Sequence, residues 1–121
     1  MNTETANPTL GPHPLRRAAL EASALMKVLS NPDRLLLLCE LAPGERKVGE
    51  LEAATGIHQP TLSQQLTVLR SQGLVRTRRE GKNIHYRIAS PQALALMETL
   101  YQQFCGPAAA AAAQDDKEHD E

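Results

Sequence analysis

Residues 57–73, IHQPTLSQQLTVLRSQG, decide the fold of this chain. Leu62, Leu66 and Leu69 recur at steps of four and three, so they lie along one side of a helix that is predicted to begin near Gln59. The residues between them carry mainly hydroxyl and amide side chains. The opposite side of this helix is therefore polar and almost uncharged until its end.

A shorter helical pattern comes directly before this helix. Val48, Leu51 and Ala54 step by three, and Gly56 is predicted to end the helix that they form. A tight turn then leads into the longer helix. The sequence therefore predicts a helix-turn-helix, whose second helix is suited to the major groove of DNA.

A basic β-hairpin is predicted after Gly73, which closes the longer helix. Residues 74–79 and 84–88 have the layout of two strands around a four-residue turn. From residue 58 to residue 88, six Lys or Arg stand against one acid, Glu80. The whole-chain net charge of -1 hides this basic segment, because the C-terminal end of the chain is acidic.

These two elements have the chemistry of a DNA-binding surface. Short hydroxyl and amide side chains can bind base edges in the major groove, whereas Lys and Arg meet phosphates and make binding salt-dependent. The predicted reading residues are Gln59, Thr61, Ser63, Gln64, Gln65, Thr67 and Arg70. The predicted anchoring residues are Arg78, Arg79, Lys82 and Arg87, beside Arg76 in the same hairpin. Each element alone also fits a solvated surface, and it is their succession that favours double-stranded DNA as the partner.

Further helices are predicted over residues 15–29, 32–41 and 91–105. Apolar periodicity predicts the first and the last of them, and a capping Asn or Ser followed by Pro marks the start of the second and the last. The expected fold is mainly α with a small β-hairpin wing, a winged helix-turn-helix. The predicted segments are a flexible N-terminal arm (residues 1–14), the winged helix-turn-helix domain (residues 15–105) and an Ala-rich, acidic, disordered tail (residues 106–121).

Composition excludes several other classes of protein. With 121 residues and 41% hydrophobic content, the chain fits one domain that a partner subunit would help to stabilise. Neither a signal peptide nor a membrane-length apolar run is recognised, so a cytoplasmic protein that does not enter a membrane is expected. No general base stands at a suggestive position and no phosphate-binding glycine motif occurs, so neither an enzyme nor a cofactor is expected. A pure interaction module stays an alternative.

The order and spacing of several motifs resemble those of the ArsR-type winged-helix repressors. The matching residues are 30–35 (SNPDRL) in the second helix, 62–66 (LSQQL) and 68–70 (VLR) in the reading helix, and 73–75 (GLV), 78–82 (RREGK) and 86–87 (YR) in the wing. This resemblance covers roughly residues 16–105. It implies a homodimer whose first and last helices form the interface, and hence a pseudo-palindromic operator. At the position of Gln65 the family usually has His. This difference is expected to affect one contact with a base or a phosphate, but not the way in which the helix docks on the DNA.

Metal sensing, the best-known role of that family, needs thiolate, imidazole or carboxylate ligands that converge on one ion. The third helix lacks a cysteine pair and the last helix lacks His. Of the four histidines, His13 and His119 belong to the termini, and His58 and His85 to the DNA-facing region. No metal site is therefore expected, and a response to a metal or metalloid is kept as the alternative.

Two cysteines, Cys39 and Cys105, are the candidates for a switch. Cys39 stands among leucines and Cys105 ends the last helix, so each alone also fits an inert packing residue. Their positions resemble those in the BigR- and SqrR-like branch of the family, whose members respond to persulfides and oxidants. That resemblance implies an inducer among the reactive sulfur species, an intrasubunit disulfide or polysulfide bridge, and release of DNA. Which thiol reacts first, and whether other oxidants serve, stays open at this stage.

Overall fold

The computed structural model describes residues 14–106. Its elements are α1 (Pro14–Leu29), α2 (Pro32–Leu41), β1 (Arg46–Lys47), α3 (Val48–Thr55), α4 (Thr61–Ser71), β2 (Val75–Glu80), β3 (Asn83–Ile88) and α5 (Pro91–Leu100), followed by a π-helical turn (Tyr101–Cys105). Apart from their inner ends, the predicted arm and tail lie outside the described residues. Within residues 14–106, no helix is long and apolar enough to cross a membrane.

Side-chain caps begin two of the helices where the sequence predicts them. Asn31 Oδ1 accepts a hydrogen bond from the backbone N–H of Arg34 at 3.0 Å, ahead of α2. Ser90 Oγ accepts one from the backbone N–H of Ala93 at 3.1 Å, ahead of α5. Each cap is followed by a proline at the first helical position, where no N–H is needed.

The helix-turn-helix is formed by α3 and α4. Gly56 ends α3 with φ of 73°, a left-handed conformation in which glycine avoids the steric clash of a Cβ. Helix α4 begins at Thr61, slightly later than predicted, because Pro60 takes the N-cap position and Gln59 lies before it. The side chain of Gln59 nevertheless accepts a hydrogen bond from the backbone N–H of Ser63 at 3.1 Å.

The wing is a three-stranded antiparallel sheet in the order β1-β3-β2. The predicted hairpin is confirmed, but its turn is shorter than expected because Glu80 pairs with Asn83. Only Gly81 and Lys82 make the turn, and Gly81 adopts φ of 63°. Strand β1 was not predicted, since it consists of two basic residues and has no apolar alternation.

Helix α2 lies at the centre of the core. Its Leu37, Leu38 and Leu41 are at most 2% exposed, and it packs against α3, α4 and α5. Helix α1, in contrast, buries only Leu29. The apolar residues that remain exposed at the two ends of the described chain are Leu15, Leu20 and Met26 on α1, and Tyr101 and Phe104 in the π-helical turn.

Candidate DNA interface and thiol pair

The inner side of α4 is apolar and its outer side is polar, as the sequence predicts. Leu62, Leu66 and Leu69 are at most 2% exposed. Of the predicted reading residues, Thr61 and Gln65 are half-buried on the flank of the helix, and the exposed ones are Gln59, Ser63, Gln64, Thr67 and Arg70. The structure therefore gathers most of the predicted set on one open surface.

Two of the predicted reading side chains also serve the helix itself. Gln59 satisfies a free N–H at the start of α4, as described above, and the hydroxyl of Thr67 donates to the carbonyl of Ser63 at 2.8 Å. Three other exposed reading residues form no side-chain hydrogen bond or ion pair within residues 14–106, namely Ser63, Gln64 and Arg70. A ligand would meet them without first displacing another partner.

Gln65 is held by a residue to which the sequence assigned no contact role. Nη1 of Arg34 donates to Oε1 of Gln65 at 3.0 Å, while Nε of Arg34 donates to the carbonyl of Val28 at 2.7 Å. Arg34 belongs to a motif that the family resemblance quotes. Its partner, however, is 31 positions away, and no local pattern links the two.

The cations of the wing differ in their partners. Arg79 and Lys82 near the tip are exposed and have no ion pair within the described residues. Arg87 is also exposed on β3, and its charge helps to lower the pKa of the Glu45 carboxyl. Arg79 and Lys82 are thus the anchoring candidates with the least competition from other groups of the protein.

Arg78 is engaged by Glu45. Its Nη2 lies 2.8 Å from Oε1 of Glu45 and its Nε 3.0 Å from Oε2, which is a two-point pair. The hydrogen bonds from Arg78 hold the pKa of Glu45 below its usual value, and the same contact raises the pKa of Arg78. Arg78 was predicted as a phosphate anchor, and in this geometry its guanidinium faces a carboxylate of the same chain.

The two described histidines also pair with carboxylates. His85 has a side chain only 14% exposed, with Nε2 3.1 Å from Oε1 of Glu80 and Nδ1 3.8 Å from Oε1 of Glu45. The Nε2 atom is enclosed, and its contact with Glu80 lacks hydrogen-bond geometry. His58, which is exposed in the turn before α4, has Nδ1 2.9 Å from Glu52.

The two cysteines lie in different environments. Cys39 on α2 is half-buried, Cys105 at the end of the π-helical turn is exposed, and both are free thiols. Sγ of Cys39 lies 3.7 Å from Sδ of Met97 on α5. Burial raises the pKa of the Cys39 thiol, and the charges of Cys105 and Glu40 raise it further.

An open groove of about 600 Å³ gives access to Cys39. It runs between α2 and the last helix, where Met97, Tyr101 and Gln102 line it together with Glu40 and Glu98. No group of three or more His, Cys, Asp or Glu that could hold a metal ion occurs among residues 14–106. The groove is thus lined mainly by apolar surface, carries two carboxylates and gives the Cys39 thiol a path to solvent.

Comparison with known proteins identifies the family. Residues 31–77 match the family described as bacterial regulatory protein, arsR family. The biofilm growth-associated repressor of Agrobacterium fabrum is 55% identical over 93 residues, which are 77% of this chain and 80% of that protein. The chain belongs to the ArsR family.

Solved structures of ArsR-type proteins share this fold. The transcriptional repressor BigR from Xylella fastidiosa superposes with a TM-score of 0.72 at 52% identity, covering 75% of this chain and 93% of that one. The homodimeric winged helix-turn-helix DNA-binding domain of Mb0332 from Mycobacterium bovis gives 0.60 at 35% identity, covering 90% and 94%. The predicted winged helix-turn-helix and the prediction of a regulator rather than an enzyme are confirmed. The roles of individual reading, anchoring and thiol residues stay predictions.

Proposed function

We propose that this ArsR-family protein is a homodimeric transcriptional repressor that binds a pseudo-palindromic operator and releases it when Cys39 and Cys105 are bridged by reactive sulfur. The repressor names of the Agrobacterium and Xylella relatives support the sign of regulation. The observation that carries the proposed switch is the open groove beside Cys39, which is lined by Tyr101 and Gln102 of the turn that ends at Cys105.

Exposed apolar side chains support the proposed dimer. Leu15 on α1 is 77% exposed and Phe104 is 72% exposed in the single chain. Large apolar residues exposed at both ends of a small domain are typical of a surface that a partner covers. The Mb0332 domain is a homodimer, and a second copy of this chain is therefore the proposed occupant.

The DNA contacts are divided between two elements. In the proposed complex, α4 enters the major groove, where Ser63, Gln64 and Thr67 meet base edges. The wing lies beside it, where Arg79 and Lys82 contact phosphates. The two-fold symmetry of the dimer places a second α4 one or two turns further along the DNA, which gives the operator its symmetry.

Exposure sets the order of reaction. Burial raises the pKa of the Cys39 thiol and so disfavours its thiolate, whereas Cys105 is open to solvent. Cys105 therefore attacks a sulfane sulfur first, and Cys39 closes the bridge. Oxidation of the two thiols by one persulfide, RSSH, yields a protein disulfide, RSH and H₂S. Each additional RSSH adds one sulfur atom to the bridge and leaves one more RSH.

The bridge acts on DNA binding through α2. This helix carries Cys39 and packs against both α4 and α5. A bridge from Cys39 to Cys105, at the end of the π-helical turn, therefore changes the position of α2 relative to the reading helix. A 100-fold loss of affinity requires about 2.7 kcal/mol of difference between the two dimer states. That is within the range of a few altered hydrogen bonds.

Operator titration tests this proposal. Reduced protein, protein treated with an organic persulfide and protein treated with hydrogen peroxide are titrated against genomic operator fragments, beside Cys39→Ser and Cys105→Ser. We expect the persulfide to weaken binding by the wild-type protein only, and mass spectrometry to find a bridge that has lost two hydrogens. Equal affinity in all states contradicts the thiol switch, and release by peroxide alone replaces reactive sulfur with another oxidant.

A further inference from the structure

Arg34 joins the reading helix to two neighbouring parts of the fold. Its Nη1 donates to Oε1 of Gln65 on α4, and its Nε donates to the carbonyl of Val28 near the end of α1. Its backbone N–H is held by the cap residue Asn31. A guanidinium bound in this way is a fixed support for Gln65, unlike a mobile surface cation.

This support decides how the Gln65 amide is oriented. A guanidinium only donates hydrogen bonds, so the amide oxygen must face Arg34 and the NH₂ group must point away from it. Nε2 of Gln65 has no partner among residues 14–106 and is not among their enclosed polar atoms. The N–H groups of Gln65 are thus the part of its amide that a ligand lying along this side of α4 can meet.

We infer that Arg34 is a specificity-determining positioning residue of the DNA interface, because it makes Gln65 a donor that selects an acceptor atom on the DNA. Such acceptors are N7 of guanine and adenine, O6 of guanine, O4 of thymine and the phosphate oxygens. A free Gln reads adenine with both ends of its amide, but here the oxygen is turned toward Arg34 and the N–H donors are the part of the amide that faces away from it. This inference rests on the proposed docking of α4 in the major groove and is independent of the thiol switch.

Selection from random-sequence duplexes by the reduced, full-length protein tests the inference, because it gives the base preference at every operator position. In Gln65→Glu the carboxylate still accepts from Arg34 but has no N–H to donate. We expect an unchanged or higher Tm and binding that is at least about tenfold weaker. Gln72→Glu, which adds the same charge at the exposed end of α4, is the control and should weaken binding less than about threefold.

Two substitutions of Arg34 separate positioning from simple support of the fold. In Arg34→Met the amide can turn, and we expect adenine to gain about tenfold at one position of each half-site. Arg34→Lys still donates to the amide oxygen, and it should restore the wild-type preference. Should Arg34→Met fail to fold, Gln65→Glu decides the question, because it keeps the contact with Arg34.

The outcomes distinguish the two kinds of acceptor. If the acceptor is a base, Gln65→Glu changes the preference at one position. If the acceptor is a phosphate, Gln65→Glu weakens binding to all sequences equally. Replacing that phosphate with a neutral methylphosphonate then weakens DNA binding by the wild-type protein but not by Arg34→Met. The inference is overturned if Gln65→Glu keeps its Tm and binds DNA as tightly as the wild type. It is also overturned if Arg34→Met folds and retains both the affinity and the base preference of the wild type. Gln64→Ala checks the docking itself, since an unchanged preference in that variant would contradict the placement of α4.

Discussion

The two-point pair between Arg78 and Glu45 leads to an unusual prediction for a basic wing. Arg78 faces a carboxylate of its own chain, whereas Arg79 is exposed and has no ion pair within residues 14–106. We therefore expect Arg79→Ala to remove a phosphate contact. The double variant Arg78→Ala/Glu45→Ala, which removes a pair with no net charge, should leave the phosphate contacts as they are.

The magnitude follows from counterion release. Each phosphate contact contributes about 0.9 to the slope of log K against log salt concentration, so Arg79→Ala makes the slope of a dimer shallower by about 1.8. Between about 50 and 200 mM salt, the affinity gap between the wild type and this variant narrows about tenfold. The double variant should retain the wild-type slope, and its stability should change little because the pair is exposed to solvent.

Fluorescence anisotropy with a labelled operator duplex at four or more salt concentrations measures these slopes. Glu45→Ala alone is the matched control, because it leaves Arg78 with only the 3.7 Å contact to Glu80 and should steepen the slope. A double variant whose slope falls as much as that of Arg79→Ala would refute the reasoning. It would mean that Arg78 leaves Glu45 and binds a phosphate in the complex.

Three further predictions concern the thiols, the turn and the proposed dimer. Because burial raises the pKa of the Cys39 thiol, its alkylation by iodoacetamide should rise at a higher pH than that of a short cysteine peptide, as followed by peptide mass spectrometry; matched pH profiles would contradict this. Gly56→Ala places a Cβ in open space, but the backbone there has φ of 73°, which is strained for a residue with a Cβ. Thermal unfolding should therefore show that the free energy of unfolding falls by about 1 kcal/mol. Gly44→Ala, at an ordinary φ, is the control and should not cause this loss. Phe104→Glu should convert the dimer to monomers in analytical ultracentrifugation and weaken operator binding, and a dimer of unchanged stability would remove Phe104 from the interface.

The parts of the fold that the sequence predicts are those with a local cause. The leucine spacing of α4 follows from the 3.6-residue period of a helix, and the caps Asn31 and Ser90 satisfy N–H groups three positions ahead. Strand β1 has no such signal, because it is added to the sheet through its backbone and its side chains are basic. Its presence explains why Glu45, just before β1, lies beside the wing at all.

The contacts that modify the predicted site are long-range. Arg34 and Gln65 are 31 positions apart, and Arg78 and Glu45 are 33 apart. Composition and periodicity place each of these residues on an element, but they do not specify which elements face each other. Charge counting therefore assigned Arg78 to DNA along with the other wing cations, and only the fold separates it from them.

Helix α2 connects the two parts of the proposed function, because it carries both Cys39 and Arg34. Five positions along a helix correspond to about 7.5 Å and a rotation of roughly 140°, so the two side chains lie on different sides of one rigid element. Cys39 faces Met97 on α5, and Arg34 faces Gln65 on α4. A bridge that moves α2 thus acts on the support of Gln65. Loss of one Gln65 contact with DNA in each subunit, at about 1–1.5 kcal/mol each, amounts to the roughly 2.7 kcal/mol that a 100-fold release requires. A shift of α2 that is too small to disturb the core is therefore enough to release the DNA, provided that it breaks the hydrogen bond between Gln65 and the DNA in both subunits.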